Sequence, residues 1–319
     1  MRTLVNHLQI LAVFTAFFWG CNADIAQHVE EKKHIDKDSK VVQEIAEKGC
    51  DPELTKEQFY NPLYYGASSC YLQTAEGEAT VKNYTFKVSH KEADEKVCVD
   101  IIRSGRKIRS DCSDLMSQLA IITRPDPGTD INGDGIPEVI AYEYTDEWHC
   151  CSIYAIFSLG KKLKLIDVLY GDHSYIFFRD LDGDGKYEAI GLDWAFAYWS
   201  SSFTGSPAPQ VILRWKNRKY RLAEDLMKKN PPVDKELYTM PSGFEKGQTY
   251  TVLSARMLDL IYTGNGNLAL QYCDWFWQNL DYGMSKQKLL KEKKDFLAAF
   301  KKQLRKSHYW ADLKKMNGW

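Results

Sequence analysis

Hydrophobic and polar residues alternate in short runs through the middle of the chain, and recur at three- and four-residue spacing toward its end. Residues 84–90 and 97–103 interleave β-branched or aromatic side chains with polar ones, the two-residue period of half-buried strands. Ser104-Gly105 punctuates the second run, and 107–112 reads as the returning arm of a hairpin. The same signal marks 138–144, 152–159 and 163–169, then 188–194, 210–215 and 219–222, with Lys216-Asn217 as a tight turn. A break follows at Asn230-Pro231-Pro232, extended by Pro241-Ser242-Gly243. Beyond it the period becomes helical over 254–262 and 267–280. Ser285 is a good N-cap for a longer helix, 286–307. Leu289, Leu290, Phe296, Leu297 and Phe300 would be its buried stripe. The pattern predicts an α+β protein, a β-rich domain of antiparallel units followed by a C-terminal helical segment.

The β-rich region repeats itself. Asp130-Ile-Asn-Gly-Asp-Gly-Ile-Pro-Glu-Val-Ile aligns with Asp180-Leu-Asp-Gly-Asp-Gly-Lys-Tyr-Glu-Ala-Ile at an offset of fifty residues. A period of that size implies repeated supersecondary units. Each unit begins with a loop whose alternate residues point inward. These are Asp130, Asn132, Asp134 and Glu138 with the Ile136 carbonyl, and Asp180, Asp182, Asp184 and Glu188 with the Lys186 carbonyl. A hard divalent cation takes six to eight oxygens in a flexible shell, so this spacing predicts calcium as the cofactor. Asp, Asn and Gly also populate turns that bind nothing. Two loops with one acid placement, one Gly placement and one following strand favour the cation, because carboxylates crowded without one repel each other. A helix–loop–helix calcium motif needs a Glu at position twelve, where this chain has Ala141 and Gly191, so the loops are not of that type. With four carboxylates against three, the second loop is expected to bind more tightly.

Asp-x-Asn/Asp-x-Asp-Gly-x-x-Glu before an apolar strand resembles the FG-GAP/VCBS repeats of integrin-type β-propellers. The likeness spans about 126–222, a third of the chain. Glu143-Tyr-Thr-Asp-Glu-Trp-His-Cys-Cys, Phe196-Ala-Tyr-Trp and Ser206-Pro-Ala-Pro resemble bacterial exported proteins of this repeat type. The resemblance implies calcium held by the carboxylates named above. Position nine is Glu where the repeats usually carry Asp. Closed propellers have four to eight blades and only two repeats are visible, so the expectation is a partial, propeller-like arrangement. A compact β-domain of two blade-like units and the first hairpin would also satisfy it.

Composition refines the picture. Net charge is -1, with no field of one sign, so no nucleic-acid partner is implied. Arg2 and the apolar run 8–19 form an export signal too short to span a bilayer. Two processing readings compete: lipidation at Cys21, which would be the sole membrane attachment, or ordinary cleavage after Ala23. The expected layout is a signal peptide over 1–23, a tether over 24–49 with a short helix at 41–48, and a Cys-containing β region over 50–118. Calcium repeats over 119–229 and a helical region over 230–319 complete it. The destination is the periplasm, outer membrane or cell surface, or the medium.

Eight cysteines in an exported chain suggest disulfides. Pairing about Gly105 places Cys98 opposite Cys112. Cys50–Cys70 is a second candidate. Cys150 and Cys151 either form a vicinal ring, bond elsewhere or stay buried, and Cys273 is the candidate free thiol. His149-Cys150-Cys151 beside Asp146 and Glu147 has the residue types of a nucleophile or metal site, but adjacency alone supplies no geometry. Trp194, Phe196 and Tyr198 would share one face of an extended strand, near Trp199 and Phe203. They would form a sugar or peptide platform, or seal the β-domain against helices bearing Trp275, Phe276 and Trp277. The functional expectation is a non-catalytic calcium-binding protein of the cell envelope, with a protein or glycan ligand. The alternative is a carbohydrate-acting enzyme or accessory subunit using the aromatic face with Glu143, Asp146 and Asp193.

Overall fold

The computed structural model describes residues 77–319 apart from 115, 148, 149, 242, 244, 281 and 282. The signal, the tether, Cys21, Cys50 and Cys70 lie outside the described residues.

Three four-stranded antiparallel sheets follow one another, and helices close the chain, so the fold is α+β. Sheet I is β1 (Glu78–Val81), β2 (Tyr84–Lys91), β3 (Lys96–Arg103) and β4 (Arg106–Asp114). Sheet II is β5 (Gln118–Ile121), β6 (Glu138–Glu147), β7 (Cys150–Leu159) and β8 (Leu163–Asp172). Sheet III is β9 (Phe177–Arg179), β10 (Glu188–Leu192), β11 (Gln210–Lys216) and β12 (Lys219–Leu222). Each is an up-and-down meander of consecutive strands. In sheets II and III the acidic loop occupies the same place, between the first and second strands. The three-residue β9 and four-residue β5 are too short to announce themselves by alternation, and the sequence pattern missed both.

The central strands β6 and β7 of sheet II contribute residues to a core on each face, which explains their apolar-rich text. Along β6, Val139 and Ala141 pack with Phe157 and Leu159 against Tyr84, Phe86, Val99 and Ile101 of sheet I. The alternate residues Ile140 and Tyr142 join Tyr154 and Ile156 in the main core with sheet III and the helices. The two-residue period thus divides one strand between two cores.

The β3–β4 hairpin turns at Ser104-Gly105, and a bulge at Ile101/Ile102 shifts the register so that Cys98 faces Cys112. The disulfide between them is formed. The last hairpin turns at Asn217-Arg218, one residue beyond the expected Lys216-Asn217. Both turn residues have positive φ, 53° and 64°, and Lys216 pairs with Lys219. Two left-handed residues are what a turn matched to the strand twist requires.

The main helices are α1 (Thr249–Tyr262), α2 (Gly266–Asn279), α3 (Lys286–Leu304) and α4 (Trp310–Asn317). Ser285 caps α3, its hydroxyl accepting from the Lys288 N–H. Phe296, Phe300 and Leu304 are the buried residues of α3, with Leu289 and Leu297 half-buried at the margin. Leu290 departs from the expected stripe and is 56% exposed. Its neighbour Leu289 takes the inward position of that turn.

Asn317, at the end of α4, ties three elements together. Its side-chain oxygen accepts from the Gly266 N–H at 2.7 Å, and its amide donates to the Ile261 and Leu313 carbonyls at 3.0 and 2.8 Å. Asn317→Ala strands a donor and two acceptors in the core. It is expected to cost about 2 kcal/mol, read as a lower urea midpoint at unchanged slope.

Candidate metal centre

The two acidic loops fold by the same hydrogen bonds. The carboxylate at position one, Asp130 or Asp180, accepts from the N–H groups three, four and five residues on, at 2.7 to 3.1 Å. Position three, Asn132 or Asp182, accepts from the Asp134 or Asp184 N–H. Position five accepts from the N–H of Ile136 or Lys186. Position nine reaches back to the N–H of Ile131 or Leu181 at 3.0 and 2.9 Å. Gly133, Gly135, Gly183 and Gly185 all hold φ between 75° and 84°, a conformation costly for residues with a Cβ. The loops therefore aim oxygens inward by their own backbone geometry.

The loops also touch. The Tyr187 N–H donates to the Ile131 carbonyl at 2.9 Å. The Lys186 stem lies across Gly133, where an added Cβ would come within 2.8 Å of it. Ile136 lies beside Gly160.

Oxygens of Asp130, Asp134 and Glu138 gather within 4.8 Å of one another, as do those of Asp180, Asp182 and Asp184. The sets differ at position nine. Glu138 stands opposite Ser158 across the β6–β7 ladder, and Glu188 is the neighbour of the Ala189–Leu213 pair, which places it opposite Arg214. Arg214 donates to Glu188 at 2.8 Å, to Asp225 at 2.9 Å and to Asp182. Lys186 holds Asp184 at 2.7 Å. The second loop thus sets four carboxylates against two cations. No described ion pair reaches Asp130, Asp134 or Glu138.

Electrostatics follow this arrangement. Burial, and then the charges of Asp134 and Asp130, push the Glu138 carboxyl up to about 7. It is 2% exposed and hydrogen-bonds the Asn132 amide at 3.2 Å. The Lys186 ammonium holds the Asp184 carboxyl below its usual range. The hydrogen bond to Glu188 raises the Arg214 guanidinium further above its ordinary value. Arg214 carried a sequence signal: a lone cation within the apolar strand Val211-Ile-Leu-Arg-Trp, in reach of an acid at the start of the previous strand.

The remaining candidates separate. Cys150 and Cys151 are bonded to each other, so the thiols of the His-Cys-Cys reading are consumed. Cys273 is the free, buried thiol of α2, and burial pushes it up to about 12. Glu143 and Asp111 line a groove of about 180 Å³ between sheets I and II. Asp193 is 3% exposed and bonded to Tyr262 and Ser307. Asp193 does not line that groove, and the Asp146 side chain lies outside the described set. Residues 194–199 are irregular and not an extended strand. Phe196 and Trp199 pack on Phe300, joining the helices as the sealing alternative requires. Trp194, Tyr198 and Phe203 turn instead toward His173.

Comparison with protein-family models, with curated proteins and with solved structures finds no match to this chain.

Proposed function

We propose that this chain is an exported, calcium-stabilised, non-catalytic binding or adhesion protein of the cell envelope, its β region made of blade-like units. The observation carrying the calcium reading is the contrast at position nine. A buried glutamate is set against two aspartates in the first loop without a cation, whereas the same position in the second loop is answered by Arg214. Crowded carboxylates of this kind are stabilised by a hard cation. Asp130, Asn132, Asp134 and Glu138 supply its oxygens, and Ile136 a carbonyl. Asp180, Asp182, Asp184 and Glu188, with the Lys186 carbonyl, form a second and weaker site, because binding there competes with Arg214. The proposal therefore reverses the order expected from counting carboxylates. The ion fastens each loop to its following strand, and no step of chemistry is assigned to it. Membrane attachment is through a lipid at Cys21; no described helix is long and apolar enough to cross a membrane.

Calorimetric titration of the mature chain tests this. Two calcium sites are expected, the tighter with a dissociation constant on the order of 10⁻⁴ M. Asp130→Ala abolishes the tighter site, Asp180→Ala leaves it, and Arg214→Gln strengthens the second site. Loss of the tighter site on Asp180→Ala, or no calcium heat up to about 10 mM, roughly tenfold above the weakest extracellular sites, overturns the reading.

A further inference from the structure

The aromatic run after β10 is split, and one half faces out. Phe203 stacks on Trp194 at 5.0 Å and leans on Tyr198 at 5.6 Å. His173 meets Phe203 at 4.9 Å and stands edge-on to Trp194 at 5.4 Å. Trp194, Phe203 and His173 are all half-buried, and Tyr198 is 56% exposed. An aromatic cluster built only for the core would be covered, as Phe196 is.

Polar groups adjoin the cluster. Asp172 ends β8 beside His173, and burial and neighbouring charges, with no hydrogen bond among them, set the state of its carboxylate. Its oxygen lies within 4.8 Å of the Cys150–Cys151 sulfurs. An exposed pair, Tyr170 and His308, stacks at 5.3 Å with 13° between the rings, and the His308 charge reaches Asp172. Asp172 and Tyr198 both hold left-handed backbones, φ 49° and 55°. For a bulky tyrosine that conformation is an outlier, maintained only where surrounding contacts impose it, as sites do. The Ser206 hydroxyl accepts from the Tyr198 N–H at 2.9 Å and fixes the residue there.

We propose that Asp172, His173, Trp194, Tyr198 and Phe203 form a saccharide-binding site, separate from the calcium loops. The ring of Tyr198 stacks on the C–H face of a pyranose. The Asp172 carboxylate accepts from adjacent sugar hydroxyls, and His173 completes the polar edge. A few placed polar groups beside apolar faces is the usual make-up of a small-ligand site. Burial raises the Asp172 carboxyl above its ordinary value, as it does for an acceptor lacking partners. A cationic guest fits less well. The rings touch one another and enclose no cage, and two imidazoles, His173 and His308, flank the carboxylate. A peptide strand fits less well too, since the cluster offers ring faces and a carboxylate in place of an open ladder.

The test is a printed array of neutral and acidic glycans probed with the mature, calcium-loaded chain, followed by calorimetry with the soluble form of the strongest binder. Saturable binding is expected. Tyr198→Asn keeps a residue tolerant of the left-handed backbone but removes the ring, and Asp172→Asn removes the charge. Each is expected to weaken binding at least tenfold with an unchanged melting curve, while Tyr198→Phe and the distant surface change Leu165→Ser bind as the parent does. Asp130→Ala binds glycan as the parent does, which distinguishes failure of this site from failure of the calcium reading. An array without saturable binding, binding indifferent to both Tyr198→Asn and Asp172→Asn, or capture only of peptides overturns the proposal.

Discussion

In chelator at pH 8, Glu138→Gln is expected to melt above the parent protein; in saturating calcium the order is expected to reverse. Both halves follow from one buried carboxylate. Without a cation, Glu138 sits 2% exposed beside Asp130 and Asp134, and its pKa rises from 4.5 to about 7. A raised folded pKa means stability that is fully present below about 4.5 and is lost as pH climbs through 7. Between pH 5 and pH 8 the metal-free parent is expected to lose about 2 to 3 kcal/mol from this group alone. Glutamine carries no charge to lose. Its oxygen can still accept from the Ile131 N–H, and its amide can face Ser158, so the metal-free variant is flatter across that range. Groups shifted the other way, such as Asp184 and Asp225, titrate below it and are common to both proteins. The difference between the two melting curves therefore isolates Glu138. Calcium at about a hundredfold its dissociation constant adds about 2.7 kcal/mol to the parent, roughly 5 to 10 °C for a unit of this size. The variant gains little. A parent no less stable at pH 8 than at pH 5 in chelator, or a variant that responds fully to calcium, would refute the argument.

Much of this centre is legible in the sequence alone. Local turn chemistry is encoded in contiguous residues, so the Asp, Asn and Gly spacing described both loops and the strands following them. Their geometry repeats residue for residue. The Cys98–Cys112 bridge was legible for the same reason, since it is set by a hairpin. What escaped was non-local. Arg214 lies thirty-two residues from Asp182; a lone cation in an apolar strand hints at an acid nearby, but which acid it meets is set by the β10–β11 register. Counting carboxylates and balancing charge rank the loops in opposite orders, because charge balance depends on that register. The division of the aromatic run was hidden for a related reason. Alternation along an assumed strand put Trp194, Phe196 and Tyr198 on one face, yet the chain turns after Leu192 and sends Phe196 inward and Tyr198 out. Asp172, His173 and His308 come from a strand end and an interhelical turn, and only the fold brings them together.

The second large effect concerns the junction where that turn begins. Asp193→Ala is expected to destabilise the protein by about 3 to 5 kcal/mol, measured by urea unfolding. Asp193 follows β10 directly and is 3% exposed. One oxygen accepts from the Ala195 N–H at 2.9 Å; the other accepts from the hydroxyls of Tyr262 in α1 and Ser307 after α3. Alanine leaves three donors without their acceptor where water does not reach. Asp193→Asn should be milder, because the amide keeps one oxygen for Ala195 and both hydroxyls can rotate to accept from its nitrogen. Tyr262→Phe removes one donor and its bond together, so about 1 kcal/mol is expected. The ranking Ala, then Asn, then Phe is diagnostic of an anchoring acceptor; equal losses for all three would mean that packing dominates. The anchor also bears on recognition. It fixes the start of the segment that carries Trp194, Tyr198 and Phe203 against the helices, so Asp193→Ala should loosen glycan binding even below its melting temperature, while leaving the calcium affinity of the first loop unchanged.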